Sequence, residues 1–586
     1  MKKKRALGWL TLAATLTLSL AACGSKSSQS SSSTQKHFAE TVSNKKQSVK
    51  GGTFTYGEVT DTPFKGIFED TLQTDTPDQE VSQFGFEGLF KTDNNYKIVD
   101  GGAANLKLNQ KAKTATITIN KNVKWSDGVP VTAQDIVYAY RILGSKAAAS
   151  QQYSSTLEDI VGMAEYHEGK SSTISGLEEP KGANGNEVVI HFKQMKPGMA
   201  YSGNGYFWES ASPAHYYKNI SMKKLISSPQ VRKKPLFFGP YKVKSVVSGQ
   251  SVEYVPNKYY YGKKPKLSKI SVQVVSPDSV AAAIKNKKFD YVSVPTSQYK
   301  NVKSTKGVQF IGKQSLSYSY LGFKVGKYDS KTGTNVEDKN AKMNNKALRN
   351  AIAYGMNVSQ VSKKFTDGLS YRGTTLIPTI FSKYHDSSEK GHPYDIKKAV
   401  KLLNNAGYKI DKKTGWRTQP NGKPLTIHLA AMSGASTQQP TVQNYLQIWR
   451  KKLHLNVKLT TGRLIEFNSF YDKLENDNKD VDMFLGAWSL SSEASPYQLY
   501  AAEAPFNFSR FNTKENTKLL NDIDSAKAFN NAYRVKAFKK WQAYMNKEAY
   551  VVPTTYSTDV YAVSSRVTGL SLKPSFSWAN VGVSSK

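Results

Sequence analysis

The chain has 586 residues, enough for two or three domains. Its single cysteine excludes internal disulfides and any thiolate metal cluster, so a large apolar core must carry the stability. A formal charge of +37 suits an acidic neighbour, yet the lysines are scattered with no RRM-like or zinc-finger pattern, which argues against nucleic acid as that neighbour.

At the start of the chain, Lys2, Lys3, Lys4 and Arg5 precede an apolar run from Ala6 to Ala22. A basic start, a short apolar core and small residues at the cut are the parts of a secretory signal. The run carries several threonines and is short for a membrane span, which disfavours that competing reading. Leu20-Ala21-Ala22-Cys23-Gly24 resembles the lipobox of bacterial lipoproteins. That resemblance implies cleavage after residue 22 and a diacylglycerol on the thiol of Cys23. Several acyl chains hold a protein to a membrane far better than one. Ser25 to Gln35 is serine apart from Lys26, Gln29, Thr34 and Gln35, and reads as a flexible stalk. Order is expected from about Gly51 and Gly52, ahead of the strand-like Thr53-Phe54-Thr55-Tyr56.

The body reads as mixed α and β. Thr114 to Ile119 alternates like a half-buried strand, and Glu187 to Phe192 reads as another. Thr132-Ala-Gln-Asp135 is a helix start with a capping hydroxyl and an acid three residues on. Ile136, Ala139, Tyr140 and Leu143 then form one apolar helix face. Tyr328 to Met343 is polar and reads as a surface loop between larger units. Asp395 opens a second helix, with Ile396, Ala399, Val400 and Leu403 on one face and Gly407 as its stop. Gly422 to Met432 reads as turn then strand, Gln438 to Leu453 as helix, and Leu455 to Leu459 as strand. That β-α-β order implies a sheet with packed helices. Val481 to Leu485 reads as a further strand.

Sites for chemistry are scarce. The eight histidines show no helical zinc spacing, and no H-E-x-x-H or G-x-S-x-G occurs. Gly169-Lys170-Ser171 lacks the upstream glycine of a P-loop. Asp480 and Asp482 could flank a glycosidic bond, but at this spacing two acids more often bracket a strand. No reaction is signalled, and no cofactor or metal is expected. A binding role is the reading that remains.

The segment Trp125-Ser126-Asp127-Gly128-Val-Pro130-Val-Thr132-Ala133-Gln-Asp135 resembles the W-S-D-G-x-P-x-T-A-x-D run of the family 5 extracytoplasmic solute-binding proteins, the peptide receptors of ABC importers. Physically it is structural: Asp127-Gly128 can turn, Trp125 can pack beneath, and Thr132 can cap a helix. Further matches keep the family's order. They are Phe86-Glu87-Gly88-Leu89-Phe90, Phe238-Gly239-Pro240-Tyr241, Asn257-Lys-Tyr259-Tyr260 and Phe289-Asp290. Leu348 to Asn357, Ala399 to Tyr408 and Gly486-Ala487-Trp488 follow. Ala504-Pro505-Phe506-Asn507-Phe508-Ser509-Arg510-Phe511 is similar to a run of Gram-positive oligopeptide receptors. The resemblance covers about residues 53 to 570.

The resemblance implies an α/β fold, a periplasmic-binding-protein type II-like two-lobed clamp with three domains and a central ligand cleft. Residues 1–22 would be the signal peptide and 23–44 the lipidated cysteine and linker. Lobe 1 would comprise 45–90, 221–325 and 546–586. A second domain would span 91–220, and lobe 2 would span 326–545. Two crossings between lobes would form the hinge. The implied function is capture of extracellular oligopeptides, mainly through backbone hydrogen bonds, and delivery to membrane permease subunits and through them to ATPase subunits. The implied protein is a monomer, lipid-anchored on the extracellular face of the cell membrane, and not an enzyme.

A general peptide receptor must grip what peptides share, their backbone, by strand addition inside a cleft. Carried over from the family, the ligand would run between Thr74-Asp75-Thr76 and Gly486-Ala487-Trp488-Ser489, with Ser492, Glu493, Asn507 and Phe508 beside it. One departure stands out. Many members place an aspartate soon after G-x-W to pair with the peptide amine, and this chain has none there. Glu493 could replace it, or it could be a solvated loop acid. Without a replacement the receptor need not fix the peptide N-terminus and could accept longer peptides. Alternatives within the class are a dedicated signal-peptide (pheromone) receptor and a receptor for another small solute. Alternatives outside it are an exported hydrolase and a surface adhesin.

Overall fold

The computed structural model describes residues 36–60, 62–154, 156–434 and 436–585. The signal segment, Cys23 and the serine-rich stalk lie outside these residues.

Packing begins earlier than the composition of the N-terminal segment suggests. Val42 N–H donates to the Leu570 carbonyl at 3.1 Å, and Val49 N–H donates to that of Val583 at 2.8 Å. Phe38 sets its ring edge-on to Tyr299, with centroids 5.7 Å apart. A few apolar anchors thus hold the whole stretch from Lys36 against the body, although its polar composition reads as a linker.

One long sheet organises the molecule. Gly52–Val59 pairs in parallel with Leu267–Val275, which continues antiparallel through Ser251–Pro256 to Tyr241–Val247. At the other end, Ser317–Phe323 pairs antiparallel with Met483–Ser489, and Thr426–Ala431 lies parallel to both Met483–Ser489 and Asn456–Leu459. Val551–Ser564 joins the two halves. Its first residues pair with Ser319–Gly322 and Ser370–Arg372, and its last with Val308–Gln314 and Tyr291–Ser293. Val308–Gln314 and Ser317–Phe323 are separated only by Ser315 and Leu316, so a second chain crossing runs beside the first. A separate four-stranded sheet contains Ala104–Asn109, Thr114–Ile119, Leu177–Glu178 and Glu187–His191.

Each part has its own core. One gathers residues from Tyr318 to Tyr556 around Trp449 and Trp541, a second gathers Leu89 to Phe238 around Trp125, and a third gathers Val42 to Val583 around Phe54 and Tyr254. The amphipathic faces read from sequence supply these cores. Ile136, Ala139, Tyr140 and Leu143 of helix Ala133–Gly144 are all buried, as are Ala399 and Leu403 of helix Ile396–Asn405. Asp395 caps the latter helix by accepting the Lys398 N–H at 2.9 Å.

The W-S-D-G segment is a scaffold, as its chemistry suggests. Asp135 Oδ2 accepts both the Trp125 indole N–H at 3.0 Å and the Thr132 N–H at 2.9 Å. Trp125 meets Phe238, from the F-G-P-Y segment, edge-on at 5.3 Å. Gly128 has φ +102°, and a Cβ there would lie 2.8 Å from the Tyr259 ring, so only glycine closes the turn. Asp290 accepts the Thr55 N–H and the Arg566 guanidinium, tying the first strand to the turn that follows Val551–Ser564.

Tyr328 to Met343 is not a plain surface loop. Gly326–Asp329 and Thr334–Glu337 form a hairpin. Asn335 at its return is fully buried, and its Nδ2 donates to the Ala502 and Ala504 carbonyls, both at 2.9 Å. A polar segment has been drawn inward because distant backbone satisfies its amide.

Candidate functional site

Met483–Ser489 is a strand with a half-open edge. It pairs along its full length with Ser317–Phe323, and Leu490 N–H extends the ladder to the Leu316 carbonyl at 2.8 Å. Backbone groups of successive residues face opposite edges of a strand. Residues 486 and 488 therefore address Ser317–Phe323, while 487 and 489 face away. On that far side Thr426–Ala431 pairs only as far as Leu485. The outward backbone of Ala487 and Ser489 has no strand partner among the described residues. Tyr471 caps part of this edge, donating its hydroxyl to the Ala487 carbonyl at 3.3 Å.

An aromatic cluster flanks the edge. Trp488 stacks on Tyr320 at 6.1 Å and on Phe508 at 5.6 Å, and meets Phe506 edge-on at 5.9 Å. Phe467 sits against Tyr471 at 4.9 Å. Phe506 is 50% exposed and Phe467 59%, unusual for rings of this size beside an open strand edge. Gly486 makes the stacking possible, since a Cβ there would lie 2.9 Å from the Tyr320 ring.

Downstream of the edge the chain crosses to the other side of a cleft. Ser492 Oγ donates to the Ser202 carbonyl at 2.6 Å, and Gln498 Nε2 donates to Thr156 Oγ1 at 3.2 Å. Lys383 Nζ donates to the Tyr201 hydroxyl at 3.0 Å. Glu209 stiffens the opposing loop by accepting the Ser202 hydroxyl and the Gly203 N–H, each at 2.6 Å. A cavity of about 130 Å³ lies here, lined by Tyr318, Ile377, Phe381 and residues 489–491 among others.

Glu493 is neither a solvated loop acid nor free. It is buried, its Oε1 accepts the Arg534 guanidinium at 2.7 Å, and its Oε2 accepts the Ser495 N–H at 2.8 Å. Arg534 also donates to Asp524 at 3.2 Å. Burial alone would lower the Arg534 pKa, but Glu493, Tyr384 and Asp524 outweigh it and hold the guanidinium above its ordinary value. Burial, and then Glu493, push the Asp524 carboxyl up.

The remaining expected positions are more scattered. Asn507 is fully buried and donates to the Phe511 carbonyl at 2.8 Å, and Phe508 is enclosed between Trp488 and Tyr471. Both are buried, and the exposed member of that run is Phe506. The run is wound around Arg510, whose guanidinium donates to Asp477 at 2.8 Å and to the Pro505 carbonyl at 2.7 Å. Thr74, Asp75 and Thr76 sit at the start of helix Thr76–Ser82, not in a strand. Asp75 pairs with Lys65 at 2.6 Å. Among the described residues no hydrogen bond or ion pair joins this segment to 486–493. Sequence reasoning missed Tyr201, Ser202, Phe381, Tyr471 and Arg534. No local pattern marks them, because each is significant only through a partner far away in the chain.

Among the described residues no group of three or more His, Cys, Asp or Glu is arranged to hold a metal ion, and no helix is long and apolar enough to cross a membrane.

Comparison with known proteins agrees with this geometry. The family model described as "Bacterial extracellular solute-binding proteins, family 5 Middle" matches residues 97–510. The chain is 43% identical over 588 aligned residues to the oligopeptide-binding protein OppA of Lactococcus lactis subsp. cremoris (strain SK11), covering 98% of this chain and 97% of the relative. It is 24% identical over 533 residues to the oligopeptide-binding protein AppA of Bacillus subtilis (strain 168), covering 89% of this chain and 88% of that one. Among solved structures, lactococcal OppA complexed with an endogenous peptide in the closed conformation is similar at TM-score 0.79 and 42% identity, covering 91% of this chain and all of the other.

Proposed function

Because this chain belongs to the bacterial extracellular solute-binding proteins of family 5, an α/β family built as a two-lobed clamp, we propose that it captures oligopeptides in its cleft and delivers them to the permease of an ABC importer. The observation that carries this reading is the unpaired backbone edge at Ala487 and Ser489. An extended peptide can add a strand there through main-chain hydrogen bonds, which are the same for every sequence. The exposed rings of Phe506 and Phe467 offer apolar surface to side chains without demanding one shape. The relatives named for oligopeptide binding, and the solved one holding an endogenous peptide, support the same cargo.

Binding rather than catalysis is the role. Both carboxylate oxygens of Glu493 are committed inside the protein, which supports a site that leaves the peptide N-terminus unfixed. Thr74 to Thr76 would face the ligand only across the cleft. The separate cores support a division into lobe 1, a second domain and lobe 2, near the boundaries expected from sequence. A lipid anchor on Cys23 would keep the body at the outer face of the membrane, beside its permease.

Native mass spectrometry of protein purified from a peptide-rich medium tests the reading. A spread of added masses that sequence as peptides is expected, and N-acetylated peptides should be retained equally well. A single added mass would point to a dedicated signal or a small solute. Absence of cargo, with no uptake from a peptide library, would overturn peptide capture.

A further inference from the structure

The chain enters the described body through a basic surface. Lys36 N–H donates to the Gly368 carbonyl at 3.2 Å, and its ammonium lies 4.8 Å from the Tyr299 ring. It is therefore bracketed by helices Thr296–Val302 and Val358–Thr366. Helix Val280–Lys285 packs against the first of these, which in turn packs against the second. Across these helices and the loops that follow them, Lys285, Lys287, Lys300, Lys306, Lys363 and Lys364 are exposed and make no ion pair among the described residues.

Acid is nearly absent here. The stretches 296–306 and 358–368 contain one carboxylate, Asp367, and beside the third helix the one exposed acid is Asp278. Asp367 is already shared by Lys36 and Lys303, the latter at 3.0 Å. Nearby Asp290 is buried and bound by Arg566 at 2.7 Å. The surface is thus a broad cationic plate with the root of the N-terminal segment inside it.

Geometry selects a partner for this plate. Cys23 lies thirteen residues before Lys36. At full extension that stretch can span no more than about 45 Å. A body tethered so closely keeps its tether root near the lipid surface, where anionic headgroups attract lysines within a Debye length of about 8 Å. Lysines spread over three helices match a plane of charge better than a single narrow strand of polymer.

We propose that this lysine surface docks on the anionic phosphate headgroups of the membrane that holds the chain, and so fixes which side of the body faces the lipid. The inference rests on the lipoprotein reading of Cys23 for its geometry. The charge is a property of the folded body alone.

The test uses the mature chain from residue 23 with Cys23→Ala, so that no acyl chain contributes. Its sedimentation is measured with phosphatidylcholine vesicles with and without phosphatidylglycerol. One variant carries Gln at positions 285, 287, 300, 306, 363 and 364. A charge-matched control carries Gln in place of Lys218, Lys223, Lys224, Lys409, Lys412 and Lys413. Both must retain the parent circular dichroism spectrum. Binding to anionic vesicles should fall about tenfold or more in the first variant and less than about threefold in the control. Equal losses in both would mean that net charge alone acts, and would overturn the proposal. So would equal binding to both vesicle types, or tighter binding to a soluble glycerol-phosphate polymer than to vesicles. Failure of the lipoprotein reading shows separately, as an unacylated Cys23 in mass spectra of the membrane-isolated protein.

Discussion

Glu58 and Glu80 both aim a carboxylate at the Tyr56 hydroxyl, at 3.1 and 2.9 Å. One hydroxyl proton cannot serve both, and no basic side chain pairs with Glu58 among the described residues. Burial, and then the neighbouring Glu80, raise the Glu58 pKa to about 8. Between about pH 4.5 and 8 the folded protein therefore holds a proton that the unfolded chain has released. Stability contributed by this site is full below that window and is lost as pH rises through it. Glu58→Gln should raise the unfolding temperature by about 3 °C at pH 8, with the gain vanishing near pH 4. Thermal unfolding across that range checks it, and a gain independent of pH would show that Glu58 does not titrate as argued. None of this was legible locally. Tyr56 reads as a strand residue, and the burial of Glu58 depends on what helix Thr76–Ser82 brings over it.

At the scale of the element, the edge strand is displaced from its sequence reading, running over Met483–Ser489, so that Gly486 to Ser489 lie inside it and not after it. Val481 to Leu485 reads as a strand, and G-x-W marks its functional end by resemblance, yet which backbone groups remain unpaired depends on where Thr426–Ala431 stops. Proline at 487 removes only an outward N–H and keeps the ladder to Ser317–Phe323. Ala487→Pro should weaken peptide binding about tenfold while leaving the unfolding temperature within about 2 °C. Isothermal titration with a peptide recovered from the protein measures the first effect, and unchanged affinity would remove this edge from the site. Amphipathic elements were otherwise well marked. Helix Gln438–Leu453 and strand Thr114–Ile119 have the limits their patterns suggest, because each buries one regular face. The hairpin around Asn335 was not marked. Its composition is that of a loop, and only carbonyls from residues 502 and 504 make its burial favourable.

For the whole molecule, the chain passes between the two parts of the long sheet at residues 315–316 and along Val551–Ser564, where the proposed clamp would hinge. In the proposed clamp, the bond from Ser492 to the Ser202 carbonyl would form only with the halves together, and so would favour a closed form. Losing one such bond is worth about 1 kcal/mol, or about fivefold. Ser492→Ala should weaken peptide affinity by that factor without changing stability. Small-angle scattering should show more of the open form at subsaturating peptide, and identical scattering and affinity would mean that the contact is passive. The sequence by itself determined the α/β class, the faces that form the cores and, through the ordered motifs, the family. Those features depend on local periodicity or on motif residues with fixed local geometry, such as the Asp127-Gly128 turn. Only the tertiary structure decided that Glu493 is spent on Arg534, that Asn507 is scaffold while Phe506 is exposed, and that Thr74 to Thr76 begin a helix. It also gathered scattered lysines into one surface around Lys36. These outcomes depend on pairs of residues tens to hundreds of positions apart, whose burial and charge are set by the partner that folding supplies.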